Sequence, residues 1–289
     1  MVAVDFLRPV GFADALAARA AHPQALPIAG GTDVMVELNF DRRRPPALLD
    51  LSRVAELAQW GTDGDRLRVG AGVTYRRLVD ELAARLPGLA MAARTVGSPQ
   101  IRNRGTIGGN LGSASPAGDL HPPLLAAGAQ VELASVRGVR RVAVDGFFTG
   151  PKRSVLAADE LIAAVLVPTG GAAEQFAKVG TRNAMVIAVC SFAVALDPAV
   201  RRVGTGIGSA GPTPLRAPAA EELLAARLPW QSGGGLDDGL ARRFGELVGA
   251  AATPIDDVRG SAAYRRHALA VLARRTLAWA WADLRGRPT

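Results

Sequence analysis

Two short stretches of this chain carry residue types that could do chemistry. Ala29-Gly30-Gly31-Thr32-Asp33-Val34 follows apolar strand residues and turns through paired glycines. Gly105-Thr106-Ile107-Gly108-Gly109-Asn110-Leu111 repeats the pattern later. Glycine reaches backbone angles that a Cβ forbids, so successive N–H groups can converge on one point. A concavity of that kind binds anionic oxygens through the main chain, without a basic side chain. Thr32 and Asp33 set short polar side chains where a helix can open. One such turn often only closes a hairpin. Two in one chain point to a ligand with a pyrophosphate and a long polar body.

Other reactive residues are few. Cys190 is the only cysteine, which excludes an intrachain disulfide and an iron–sulfur cluster held by this chain alone. Its setting, Val186-Ile187-Ala188-Val189-Cys190-Ser191-Phe192, reads as a buried strand with the thiol as core. No H-x-x-x-H or C-x-x-C spacing occurs, so no metal site is expected. His22 and His267 fall at a helix end and a helix surface, and His121, after the second glycine turn, is expected behind the site or at the surface. Gly206-Ile207-Gly208-Ser209-Ala210-Gly211 matches the dinucleotide pattern G-x-G-x-x-G. That pattern works when its last glycine opens a helix, and Pro212-Thr213-Pro214 bars one here. It is assigned to a strand-to-loop corner.

The 289 residues suit two or three compact units with substantial cores. A formal charge of +8 raises the question of nucleic acid. The charge is almost all arginine, scattered along the chain, with Lys152 and Lys178 the only lysines. Nucleic-acid binding is therefore not expected, and a basic face is left for an acidic partner subunit. No apolar run approaches the roughly 20 residues of a membrane helix. The opening MVAVDFLRPVGF lacks the blocks of a secretory signal, so a cytoplasmic location is expected.

The elements that must position the glycine turns follow from pattern. Phe12–Ala21 reads as an amphipathic helix, Ala25–Ala29 and Ala47–Leu51 as strands, and Val34–Leu38 as the helix the first turn opens. A hairpin turn at Trp60–Asp65 leads into the strand Arg66–Gly70. Helices follow at Thr74–Leu86 and Leu89–Val96, then a loop over Gly97–Arg104. Leu111–His121 is small-residued and polar, suited to lie against a ligand. Pro122–Ala127 reads as helix, Gln130–Leu133 with Arg140–Val144 as a strand pair, and Asp159–Val167 as a strand. Pro168-Thr169-Gly170-Gly171 is the expected domain boundary. Beyond it come antiparallel strands at Gln175–Val179, Val186–Leu196 and Arg201–Ile207. Helices Ala217–Arg227, Gly239–Ala251 and Ser261–Leu284 end the chain, the last burying Leu269, Leu272, Leu277 and Trp279.

These motifs resemble those of the FAD-binding medium subunit of molybdenum hydroxylases, the xanthine dehydrogenase and carbon monoxide dehydrogenase family. The likeness is carried by Pro27–Asp33, Gly97–Leu111, Ala114–Leu120, Phe176–Gly180 and Val258–His267, and it covers nearly the whole chain. It implies an α+β fold: a PCMH-type FAD-binding domain over 1–172, in two α/β subdomains of about 1–57 and 58–172. A smaller C-terminal domain of the CO dehydrogenase flavoprotein type follows over 173–289, with a three-stranded antiparallel sheet and helices.

The resemblance also implies cofactor contacts. Ile28, Ala29, Gly30, Gly31, Thr32, Asp33 and Val34 are expected around the FAD pyrophosphate. Thr106, Gly109, Asn110, Gly112 and Ser113 are expected opposite, with Val96, Gly97, Gly118, Asp119, Leu161, Ile162 and Lys178 around the flavin. No catalytic residue is assigned, because such a protein binds and tunes a redox group. The implied role is an oxidoreductase subunit that passes electrons from iron–sulfur clusters through FAD to NAD or another acceptor. Its partners would be an iron–sulfur small subunit and a molybdopterin large subunit, in a heterotrimer or its dimer. Arg102 and Arg104, on an exposed basic loop, are expected to dock the cluster-bearing partner. Two other readings stay open: a stand-alone FAD-dependent oxidoreductase acting on a small molecule, and a non-catalytic binder of another phosphate-bearing ligand.

Overall fold

In the computed structural model, residues 4–170, 173–231 and 234–286 are described. The chain opens with a parallel three-stranded sheet, in order β1-β3-β2, built from β1 (Asp5–Leu7), β2 (Leu26–Ile28) and β3 (Ala47–Asp50). Helix α1 (Phe12–Ala21) connects the first two strands and α2 (Val34–Asn39) the second two. Pro27 is tolerated because β2 is an edge strand.

A second sheet is antiparallel, in order β4-β5-β10-β6-β7. Its first hairpin is β4 (Trp60–Asp63) and β5 (Arg66–Gly70). Helices α3 (Tyr75–Glu81), α4 (Pro87–Arg94), α5 (Pro99–Arg104), α6 (Ile107–Ser113) and α7 (His121–Ala127) lead to β6 (Gln130–Ser135) and β7 (Gly138–Ala143). A small pair, β8 (Phe148–Gly150) and β9 (Arg153–Ser154), precedes the central strand β10 (Leu161–Pro168). All but the last residue of β10 are buried, as an apolar run without alternation requires.

Two helices replace expected loop. In α5, Ser98 Oγ accepts the Ile101 N–H and Pro99 takes the first turn, so the segment read as a loop is a capped helix. In α6, Thr106 Oγ1 accepts the Gly109 N–H at 2.9 Å. That cap outweighs the poor helix propensity of three glycines.

The third sheet is β11 (Ala173–Val179), β12 (Cys190–Asp197) and β13 (Arg202–Gly208), antiparallel in that order. Of the expected boundary stretch, Gly171 lies outside the described residues. Helices α8 (Pro218–Arg227), α9 (Asp238–Ala251) and α10 (Ala262–Leu284) follow. Strand β12 is buried on both faces, and its two faces differ in size. Cys190, Phe192, Val194 and Leu196 enter the core with α9 and α10, while Ala193 and Ala195 enter the core of the preceding sheets. On α10 the buried stripe passes through Leu269, Leu272, Ala273, Leu277 and Trp281. Trp279, expected in that stripe, is exposed, because a spacing of about four residues selects Trp281.

The dinucleotide look-alike has a packing explanation. A Cβ on Gly204 or Gly206 would sit 1.9 or 2.0 Å from the carbonyl oxygen of Ala126 or Pro122 in α7. These alternate glycines let α7 lie flat on β13, where any side chain would force it away. Among the described residues no helix is long and apolar enough to cross a membrane.

Candidate functional site

The first glycine turn leaves β2 at Ile28 and enters α2 at Val34. Gly31 holds φ +77, and a Cβ on Gly30 would fall 1.8 Å from the Arg104 carbonyl oxygen. Gly30 is therefore glycine because the second loop lies against it. The first helical bond is from Met35 N–H to Gly31 O at 3.0 Å. Among the described residues the N–H groups of Gly30, Gly31, Thr32, Asp33 and Val34 reach no acceptor. Asp33 sits at the cap position without capping α2; burial raises its carboxyl, and the nearby Ser113 side chain of α6, whose hydroxyl donates to Asn110 O, opposes that. A row of open donors thus lies where the start of α2 approaches α6.

The second turn is arranged differently. Ile107 N–H donates to Val73 O at 3.0 Å and Gly108 N–H to Ala71 O at 2.8 Å, while Gly109 N–H goes to Thr106. Asn110 N–H continues the helix to Thr106 O. Gly108 is pressed so close to Ala71 that a Cβ would meet the Ala71 Cβ at 2.5 Å. What α6 offers is surface: Gly109 and Gly112 are exposed, with Asn110 and Ser113 half-buried beside them. Ile162 of β10 borders that surface, 3.7 Å from where a Gly112 Cβ would be. Leu161 alternates to the opposite side, in the core.

A buried polar wall stands nearby. Lys178 Nζ donates to Asp119 Oδ2 at 2.6 Å, to Thr95 O at 2.9 Å and to Val186 O at 3.3 Å. The two side chains are only 9% and 10% exposed, so the pair is scarcely screened by water. All three ammonium donors are engaged, and Lys178 thereby fixes the Asp119 carboxylate and the Thr95 carbonyl. Burial pushes the Asp119 carboxyl up from its ordinary range, with Lys178 opposing. Asp119 Oδ1 and Asn110 Oδ1 are buried without a donor, as acceptors awaiting a ligand N–H or O–H would be.

Behind the wall, His121 is fully buried rather than at the surface, and burial holds its imidazole down at about 4. It donates from Nε2 to Asn110 O at 3.1 Å and packs on Phe148. A Cβ on Gly118 would strike its ring at 2.3 Å. A neutral imidazole so engaged is scaffold. Arg102, expected to be exposed, is half-buried and donates to Val96 O and Gly97 O, both at 3.1 Å. It stiffens the loop it was expected to advertise, and Arg104 alone remains an exposed cation there.

The fold gathers the predicted residues into two groups. Residues 28–34 approach α6 through Asp33 and Ser113, Ile162 borders Gly112 of α6, and Asp119 and Lys178 pair beside the Thr95 carbonyl that precedes Val96 and Gly97. Two contributors escaped the sequence reading. Thr95, the C-cap of α4, supplies the carbonyl that anchors Lys178. Tyr75 is buried against Gly105, and that burial raises its hydroxyl above the ordinary range, with the Asn110 side chain nearby opposing. Neither carries a motif, because each acts through its place on a helix.

Residues 2–170 match the family model described as the FAD binding domain in molybdopterin dehydrogenase. Residues 175–280 match the CO dehydrogenase flavoprotein C-terminal domain. The nicotine 6-hydroxylase medium subunit of Paenarthrobacter nicotinovorans is 33% identical over 284 residues, spanning 95% of this chain and 96% of that protein. The putative xanthine dehydrogenase FAD-binding subunit of Escherichia coli K12 is 35% identical over 228 residues, 75% of this chain and 78% of its own length. Among solved structures, a chain of reconstituted CO dehydrogenase from Oligotropha carboxidovorans superposes with a TM-score of 0.88 at 29% identity, covering 97% of this chain and 98% of that one.

Proposed function

The chain belongs to the FAD-binding medium-subunit family of molybdenum hydroxylases, and from that premise we propose how it holds its cofactor and whom it serves. The open N–H groups of residues 30–34 would hold the FAD pyrophosphate, with Thr106, Gly109, Asn110, Gly112 and Ser113 opposite. Val96, Gly97, Asp119 and Ile162 would border the flavin. The observation that carries this reading is the run of donors without acceptors at Gly30–Val34, inside the region that matches an FAD-binding domain.

Bound FAD supplies a redox centre that takes up electrons singly and releases them in pairs. The chain's own residues bind and orient. Asp119 Oδ1 is the open acceptor of the wall, and Lys178 keeps that carboxylate oriented while placing a buried positive charge behind it. His121 and Arg102 hold the carbonyls of Asn110, Val96 and Gly97 in place. With FAD bound, the chain would accept electrons from an iron–sulfur small subunit that serves a molybdopterin large subunit, and would pass them to NAD or another acceptor. The relatives' names as medium subunits and medium chains support assembly with other chains.

Purification of the native complex with iron, molybdenum and flavin assays tests the role. The three cofactors are expected to co-elute with this chain and two others. A flavin-bearing monomer free of both metals would favour the stand-alone oxidoreductase instead.

A further inference from the structure

Helix α4 is held at both ends by one strand of the C-terminal domain. Glu174, Phe176 and Lys178 alternate onto the same face of β11. At the start of α4, Leu86 offers no capping side chain, and the Gly88 N–H donates to Glu174 Oε2 at 2.9 Å. At its end, the Thr95 carbonyl accepts from Lys178 Nζ at 2.9 Å. The dimensions match: four strand residues span about 13 Å, and an eight-residue helix about 12 Å. The signs match too, with a carboxylate at the positive end of the helix dipole and an ammonium at the negative end. Gly88 makes the first grip possible, since a Cβ there would lie 2.8 Å from Glu174 Oε2. Burial raises the Glu174 carboxyl, while the Gly88 N–H and Arg202 favour its charged form.

We propose that α4 is a strut whose length and tilt are set by Glu174 and Lys178, and that Glu174 is a positioning residue for FAD although it stands a helix-length from the pocket. Glu174 acts through α4 on Thr95, and so on the Lys178–Asp119 pair and the Val96-Gly97 turn that follows. Docking of the C-terminal domain thereby sets one wall of the site in the FAD domain. The inference rests on the reading that the flavin lies against that wall.

The test uses the full chain, stripped of flavin and titrated with FAD, with affinity and the visible circular dichroism of the bound flavin as readouts. Glu174→Ala is expected to weaken FAD about tenfold, the loss of one charge-assisted hydrogen bond, and to alter the flavin dichroism. Glu174→Gln keeps an acceptor for the Gly88 N–H and is expected to recover most of both. In a Lys178→Met background, Glu174→Ala is expected to weaken FAD only about twofold, because the two grips act on one strut. Gly88→Ala displaces the carboxylate without removing it and gives a second approach should Glu174→Ala fail to fold. Wild-type affinity and dichroism in folded Glu174→Ala or Gly88→Ala, or full additivity with Lys178→Met, would overturn the strut. Failure of the wild-type chain to bind FAD would instead overturn the function proposed above.

Discussion

The two glycine turns look alike in sequence and differ in what becomes of their N–H groups. At Gly30–Val34 the glycines free the backbone, and among the described residues five successive donors have no acceptor. At Thr106–Asn110 the same residue type permits close approach, and four N–H groups are consumed by Val73, Ala71 and Thr106. The first turn is open to a ligand. The second is framework, presenting a smooth helical surface. Glycine-rich sequence alone does not separate a cradle from a joint; the accounting of donors does.

Substitutions can break or sharpen this contrast. Gly30→Val brings a side chain against the Arg104 carbonyl and removes the conformation of the cradle. It is expected to abolish FAD retention and to cost about 4 kcal/mol or more in denaturant unfolding. Asp119→Asn leaves Lys178 buried without its counter-charge, at an expected cost of about 3 kcal/mol. That loss, measured on the flavin-free chain, would show the wall to be structural before any ligand arrives.

His121 tests the framework side by pH. Its folded pKa of about 4 lies below the unfolded value of 6.5, so the unfolded chain takes up a proton first as pH falls. Stability present above pH 6.5 is expected to decline by about 3 kcal/mol as pH drops to about 4. A His121→Gln variant is expected to lose most of that dependence; an unchanged slope would show that other groups dominate.

The smallest structural effect is expected at Gly109. A Cβ there meets only Thr106 Oγ1, at 3.1 Å. Gly109→Ala is expected to leave stability within about 1 kcal/mol while weakening FAD about tenfold by intruding on the proposed site. Large destabilisation with normal FAD affinity would mean that the exposed face of α6 is not a ligand surface.

Much of this was legible from residue types. Paired glycines marked both turns, Pro212 and Pro214 ruled out the dinucleotide look-alike, and Cys190 is the buried strand residue its neighbours indicated. Two things were not. The helices α5 and α6 depend on single capping hydroxyls, Ser98 and Thr106, which compete with glycine and proline signals of equal strength. The pairing of Lys178 with Asp119 joins residues 59 apart across two domains, which no local pattern reports. Only packing decides whether Arg102 greets a partner or pins its own loop.

Amide hydrogen exchange, followed residue by residue with and without FAD, tests the central contrast most directly. FAD is expected to slow exchange at least about tenfold at residues 30–34, whose donors are open, and to change residues 107–110 little because they are already paired. Protection of residues 30–34 that is the same with and without saturating FAD would contradict the account.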